Sequence, residues 1–368
     1  MQHPVRAHAD HIAKVTAVRK PVLAVAELVW NALDADAKRV DIVTEPSPVG
    51  GIDAIQVVDD GWGMAPDRAH ASFSGLGGSW KKLTTRTEHE GRLIHGKEGQ
   101  GRFKALSLGR VAEWFVTYPK KGKNYTYTIQ IIADALNQFE LSEEREAAAG
   151  DVRGVRVRVS ELHKTLPSLE RDTAIDDLAQ IFALYLRKYK DTRLFLNQAP
   201  IDPSSMEECV TPYDVPSIKL GTESYPAALE IVEWKVPAER RLYLCTAEGF
   251  PLDEIAPNIP APGFHFTAYL KSDAFKALAE QGNLGIGELD DATRPAIDDA
   301  RRLLREHFRR RAAESARGLV EQWKAEEVYP YRGEPRSSVE EQERQVFNIA
   351  ALNVNAYLPK FAERRPKS

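Results

Sequence analysis

Residues 27–37 read Glu27-Leu28-Val29-Trp30-Asn31-Ala32-Leu33-Asp34-Ala35-Asp36-Ala37. They lie in an apolar-periodic run, Pro21 to Ala37, where Val22, Val25, Ala26, Val29 and Leu33 recur at helical spacing. Pro21 suits the first turn of a helix, where its missing N–H costs little. On that helix Glu27, Asn31 and Asp34 stand at i, i+4 and i+7, so a polar edge runs along a core-facing element. Taken alone, the edge reads equally well as a solvated helix face.

Two further segments bear on the same question. In Val57-Val58-Asp59-Asp60-Gly61-Trp62-Gly63-Met64 a strand delivers a carboxylate, and two glycines follow at alternate positions. Glycine lets backbone approach a flat ligand closely, and a carboxylate accepts a hydrogen bond from an exocyclic amine such as that of adenine. The same residues also read as a hairpin turn. In Gly96-Lys97-Glu98-Gly99-Gln100-Gly101-Arg102-Phe103-Lys104, three glycines precede a helix near Gly101. Backbone N–H groups at such a start cradle phosphate. As a lone pattern this is an ordinary Gly-rich loop.

Around these segments the elements predicted are strands at 39–44, 54–59, about 109–118, 123–132 and 152–160, with a long mobile loop over 65–98. A helix then strands in succession argues for an α+β sandwich rather than a doubly wound parallel sheet. The pattern restarts with a helix at 172–190 and strands at 192–196, 228–235, 241–247 and 264–270. A long helix spans 295–326, and a helix-like segment covers 346–358. The expected organisation is a first domain over 1–165, a second α/β domain over 170–312 and a helical extension over 313–368. The extension suggests the N-terminal part of a longer protein.

The 368 residues suffice for two domains without staples. With 43% hydrophobic and 28% charged residues, the chain has the balance of a soluble globular protein. Net charge is −4, which gives no global attraction to nucleic acid. Cys209 and Cys245 have no metal-ligand spacing and read as reduced thiols, so a cytoplasmic location is expected. No run approaches the roughly 20 apolar residues needed to span a bilayer, and no membrane partner is expected. His3, His8 and His11 read as a floppy N-terminal arm rather than a metal site. The arginines between Arg301 and Arg311 alternate with Asp298, Asp299 and Glu306, which favours a solvated face over a nucleic-acid contact.

Together, in this order, the three segments resemble the motifs of the GHKL ATP-binding superfamily: gyrase B subunits, ninety-kilodalton heat-shock chaperones, sensor histidine kinases, mismatch-repair MutL and MORC ATPases. Glu27-x-x-x-Asn31-x-x-Asp34-Ala35 is similar to the first motif, Asp59-x-Gly61-x-Gly63 to the second and Gly96-x-x-Gly99-x-Gly101 to the third. Arg153-Gly154-Val155 resembles the fourth, with Val155 where the family usually has threonine. The resemblance covers residues 20–160 and continues more loosely to about 310, where the second domain looks like the transducer domain of MutL, MORC and the chaperones.

The resemblance implies ATP and magnesium as ligands. Glu27 would be the general base for water attacking the γ-phosphate, Asn31 the magnesium ligand, and Asp34 the support of that edge. Asp59 would accept from the adenine amine, Gly61 and Gly63 would leave room for the ring, Met64 would pack on the base, and Val155 would lie beside this network. Gly96, Gly99, Gln100, Gly101, Arg102 and Phe103 would present backbone N–H groups to phosphate. Residues 65–98 would form an ATP lid, in which Lys81 either reaches a phosphate or is solvated. Lys271 would complete the γ-phosphate contact from the second domain, unless it is a surface lysine. The function implied is an ATPase of clamp or chaperone type, working as an ATP-dependent homodimer on a DNA or protein client. The alternatives are a nucleotide switch without turnover, or the ATPase part of a DNA-acting or defence complex. A sensor histidine kinase is disfavoured, because only about 20 residues precede Pro21.

Overall fold

A computed structural model describes residues 2–4, 21–74, 86–92, 94–95, 101–135, 138–163, 166, 169, 173–280, 292–326, 329–331 and 333–357. The chain divides into two compact units, Met1–Met206 and Glu207–Ser368.

In the first unit the elements run β1 (Gln2–Pro4), α1 (Pro21–Asp34), β2 (Arg39–Pro46), β3 (Ile52–Asp59) and α2 (Pro66–Ser74). A 3₁₀-helix (Gly101–Ser107) follows, then β4 (Gly109–Lys120), β5 (Lys123–Ile132), β6 (Gln138–Leu141), β7 (Arg145–Glu146) and β8 (Gly154–Leu162). The unit closes with α3 (Thr173–Lys188), β9 (Arg193–Leu196) and β10 (Ala199–Pro200). The sheet order is β1-β6-β5-β4-β8-β3-β2-β9-β10, with β7 on β5. Its pairs are antiparallel except β2 with β9.

Strand alternation explains why this sheet is covered on one face. Ala112, Trp114, Val116 and Tyr118 of β4 and Val155, Val157 and Val159 of β8 are buried with α1, α3 and the 3₁₀-helix in one core. The intervening residues carry charge: Arg158 of β8 pairs with Glu45 of β2 at 2.7 Å. This is the expected α+β arrangement, helices on one face of a mainly antiparallel sheet. Along α1, Val22, Val25, Ala26, Val29 and Leu33 are all buried. Each of the valines and Leu33 contributes about 1.5–3 kcal/mol relative to exposure, and Ala26 less.

α1 ends in a Schellman motif. Asp36 takes φ 61°, Ala37 N donates to Ala32 O at 3.2 Å and Asp36 N to Leu33 O at 3.1 Å. An aspartate tolerates this left-handed position better than a branched residue does. Here it also turns the carboxylate toward the segment that follows α2.

The second unit holds β11 (Glu207–Leu220), β12 (Glu223–Trp234), β13 (Arg241–Cys245), β14 (Pro251–Ile255) and β15 (His265–Lys271), in the order β11-β12-β15-β13-β14. Its helices are α4 (Asp273–Glu280), α5 (Arg294–Ala325) and α6 (Ser338–Tyr357). Buried Glu233 of β12 joins strand and helix. Burial alone would push its carboxyl up, but bonds with His307, Cys209 and Arg311 hold it at about 2. Arg302 pairs with Asp299 and Glu306 on the surface of α5, and Arg310 donates to Tyr213, so much of that basic run is internally paired. Among the described residues no helix is long and apolar enough to cross a membrane.

Beyond strands that were not expected at all, such as β6, β11 and β14, the structure departs from the sequence expectations at four places. The first unit extends to Met206, beyond the expected 165, because β9 pairs in parallel with β2 and α3 packs in the same core. The stretch 65–98 is not one long loop: it contains α2 and an anchored strip, residues 86–92 with 94–95. The helix expected near Gly101 is a short 3₁₀-helix. The first residues form an edge strand, Gln2–Pro4, on β6, while His8 and His11 lie outside the described residues.

The strip is anchored by Arg92, whose side chain is 2% exposed. Its Nη1 donates to Ala37 O at 2.7 Å and Thr192 Oγ1 at 3.1 Å, and its Nη2 to Asp191 Oδ2 at 3.2 Å. Replacing Arg92 with methionine leaves two buried acceptors unsatisfied. It should cost about 2–4 kcal/mol, read as a lowered midpoint in chemical denaturation. An unchanged midpoint would show that Arg92 is not the anchor.

Candidate nucleotide site

A cavity of about 960 Å³ opens in the first unit. That is the upper end of the range for small-molecule sites. Its wall includes Glu27, Asn31 and Asp34 from α1, Asp59 from the end of β3, Gly63 and Met64 from the following turn, Lys104 from the 3₁₀-helix and Val155 from β8. Residues 128 apart in sequence, Glu27 and Val155, thus share one surface.

Asp59 is the polar centre of one end. Its Oδ1 accepts from Gly61 N at 2.8 Å and from Val155 N at 3.2 Å. Among the described residues its Oδ2 has no hydrogen-bond partner, so one oxygen is fixed and the other is available to a donor. Burial pushes the carboxyl up to about 7, although the bonds from Gly61 and Val155 pull the other way. The backbone of Val155, rather than a side-chain hydroxyl, completes this contact. Gly154 makes the approach possible: it has φ 141°, and a Cβ there would sit 1.9 Å from Asp59 O. Gly63, at φ 62°, is equally constrained, because its Cβ would meet Thr117 O at 2.6 Å. Met64 is half-buried against the core, and its carbonyl accepts from Tyr127 OH at 3.0 Å.

The α1 edge does more than line the cavity. Asp34 Oδ1 accepts from His95 N at 2.8 Å. Asp36 Oδ2 accepts from His89 N at 3.0 Å and Glu90 N at 3.3 Å. Trp30 stacks on His95 at 4.0 Å. The C-terminal half of α1 therefore holds His89, Glu90 and His95 of this strip along the cavity. Trp62 stacks on His89 at 3.7 Å, and the Arg153 guanidinium lies 3.8 Å over its ring. Its buried indole N–H has no partner among the described residues, which leaves a donor in the wall.

At the other end Lys104 Nζ lies 2.7 Å from Glu27 Oε1. Asn31 stands one turn beyond Glu27, on the same wall. Magnesium keeps most of its waters and bridges phosphates, so one amide oxygen is a fitting protein contribution. Among the described residues no cluster of three or more His, Cys, Asp or Glu could hold a metal by itself.

The remaining expected site residues are placed as follows. Gly101, Arg102 and Phe103 form the first turn of the 3₁₀-helix, which packs on α1. Gly96, Gly99, Gln100 and Lys81 lie outside the described residues. Lys271 ends β15 in the second unit, where its ammonium is 2.8 Å from Glu230 Oε2 and both side chains are mostly buried. The sequence reading missed Asp36, Trp62, Arg92 and Lys104. Asp36, Trp62 and Lys104 stand within the quoted motifs, at positions where no side-chain role was read.

Residues 20–156 match the family described as Histidine kinase-, DNA gyrase B-, and HSP90-like ATPase. The chain is 29% identical over 160 residues to the DNA mismatch repair protein MutL of Paramagnetospirillum magneticum, covering 43% of this chain and 24% of that protein. It is 31% identical over 160 residues to MutL of Beijerinckia indica, covering 43% and 22%. The matched segments thus span under a quarter of these relatives. Among solved structures, the N-terminal domain of a DNA repair protein aligns over 82% of this chain and 97% of its own, at 14% identity and a TM-score of 0.46.

The buried carboxyl of Asp59 sets a pH test. Its ordinary value is 3.8, and in the folded chain it titrates near 7. Between these values the folded state holds the proton more firmly. The contribution of this group to stability is therefore greatest at acid pH and is lost as pH rises from about 4 to 7. Asp59→Asn keeps an acceptor for Gly61 and Val155 without the charge. The variant should melt a few degrees (roughly 2–4 °C per kcal/mol) above the parent at pH 8, with the gap closing at pH 5. A gap independent of pH would mean that Asp59 ionises without cost.

Proposed function

Because residues 20–156 form a domain of the GHKL superfamily, akin to that of MutL, we propose that the cavity binds ATP and that the chain hydrolyses it. The observation that carries this reading is Asp59, with Oδ1 tied by Gly61 and Val155 and Oδ2 left for a donor, in one cavity with Glu27 and Asn31. A carboxylate so placed accepts the exocyclic amine of adenine, with Met64 and Val155 supplying apolar contact.

Asn31 would hold magnesium, which when bound neutralises and aligns the phosphates. Backbone N–H groups of Gly101, Arg102 and Phe103, with Gly96, Gly99 and Gln100 before them, would receive phosphate oxygens. Glu27 orients water and takes its proton as the water oxygen bonds to the γ-phosphorus. The bond from that phosphorus to the β–γ bridging oxygen breaks, and ADP and phosphate leave. Lys81 and Lys271 remain candidates for a further γ-phosphate contact.

Lid closure and homodimerisation would turn this cycle into clamp-like work in the cytoplasm. The relatives carry the name DNA mismatch repair protein, which favours a DNA client over a protein one. The pairing of Lys104 with Glu27 supports a second reading, a nucleotide switch without turnover, since the base is occupied.

Glu27→Ala should bind ATP and lose turnover, measured as phosphate release with magnesium. Turnover at the parent rate would remove Glu27 from the base role. Asp59→Ala should weaken ATP binding by about one to two powers of ten, the worth of a charge-assisted hydrogen bond. Unchanged affinity would place adenine recognition elsewhere.

A further inference from the structure

The cations along the cavity wall differ in what holds them. Arg68 pairs with Glu88 at 2.8 Å and Lys120 pairs with Glu144. Neither carboxylate belongs to the polar edge of α1. Lys104 does pair with that edge: its Nζ is 2.7 Å from Glu27 Oε1, and the two side chains are 30% and 28% exposed. Lys104 also follows Gly101 by three residues within the 3₁₀-helix. In that geometry positions i and i+3 eclipse, so the lysine rises from the side on which Gly101 stands.

We propose that Lys104 is a nucleotide-responsive lock on Glu27; this rests on reading the cavity as an ATP site. In the closed lock the ammonium occupies Glu27 Oε1, and that oxygen takes no proton from water. A terminal phosphoryl group offers more negative charge and three strong acceptor oxygens than a carboxylate can. It draws the ammonium away and releases Glu27 to the attacking water. Lys104 then remains beside the γ-phosphate as a point charge, stabilising the charge that develops during transfer. ADP has no phosphoryl group at the γ position, where Glu27 meets the attacking water, and leaves the pair closed. The base is thereby held idle until the bond to be broken is present. Lys104 is a cation of the first unit itself, whereas Lys271 is engaged by Glu230 in the second.

The test is a double-mutant cycle by titration calorimetry on the full chain, with a non-hydrolysable ATP analogue and with ADP. Glu27→Gln frees Lys104 and should tighten the analogue about fivefold with no gain for ADP. Lys104→Met should weaken the analogue about tenfold and ADP far less. In the Lys104→Met background, the gain from Glu27→Gln should vanish. Lys104→Gln, which keeps a polar side chain, repeats the arm if the methionine variant does not fold. An equal gain from Glu27→Gln in both backgrounds, or an equal gain for ADP, overturns the lock and leaves the ATP site standing. No binding of either nucleotide by the parent chain overturns the reading of the cavity, and the lock with it.

Discussion

The carboxylate of Asp59 ends a strand inside the protein, where charge is expensive and every lone pair must be accounted for. Two backbone N–H groups, from Gly61 and Val155, satisfy one oxygen. That arrangement requires β8 to pass close to the end of β3, and only a glycine at position 154 permits it. The antiparallel pairing of β3 with β8 brings the two together, and Gly63 in the following turn passes just as close to Thr117 of β4. The cavity is the space left beside a carboxylate whose surroundings are otherwise complete. Burial keeps the Asp59 carboxyl high, near 7, and stability is given up for an acceptor in the cavity wall.

α1 carries the other half of the arrangement. One stripe is buried in the core, and the opposite edge presents Glu27, Asn31 and Asp34. Its C-terminus adds Asp36 in a left-handed conformation, and the carboxylates of Asp34 and Asp36 collect the backbone N–H groups of His89, Glu90 and His95. Arg92 fastens the same strip to the carbonyl of Ala37. A single helix thus positions the cavity's acidic edge and one of its borders. A shift of α1 would disturb both together, so its dense burial bears directly on the site.

What was legible in the sequence is what depends on local periodicity. The 3.6-residue pattern placed α1 and its polar edge, and alternation placed β3, β4 and β5 with small errors at the ends. The resemblance of motifs then joined segments far apart in the chain. Long-range pairing was not legible. β9 reads as a strand near the restart of the pattern, but nothing local says that it pairs with β2, about 150 residues earlier. β11 was missed because Pro212 and its polar residues weaken the pattern, and these are tolerated where a strand lies at a sheet edge. Arg92 was hidden because arginine is usually solvated and its partners come from residues 37, 191 and 192. Lys104 was read as part of a phosphate loop valued for its backbone, while its side chain meets a carboxylate 77 residues away.

The central claim is that Asp59 makes the cavity an adenine site. The most direct measurement is a side-by-side titration of the chain with ATP and GTP in magnesium at pH 8, where the carboxylate is ionised. Adenine offers an amine hydrogen at the position where guanine offers an oxygen. A carboxylate repels that oxygen, so the account predicts ATP binding with GTP roughly 100-fold weaker. Equal affinity for the two nucleotides would contradict it.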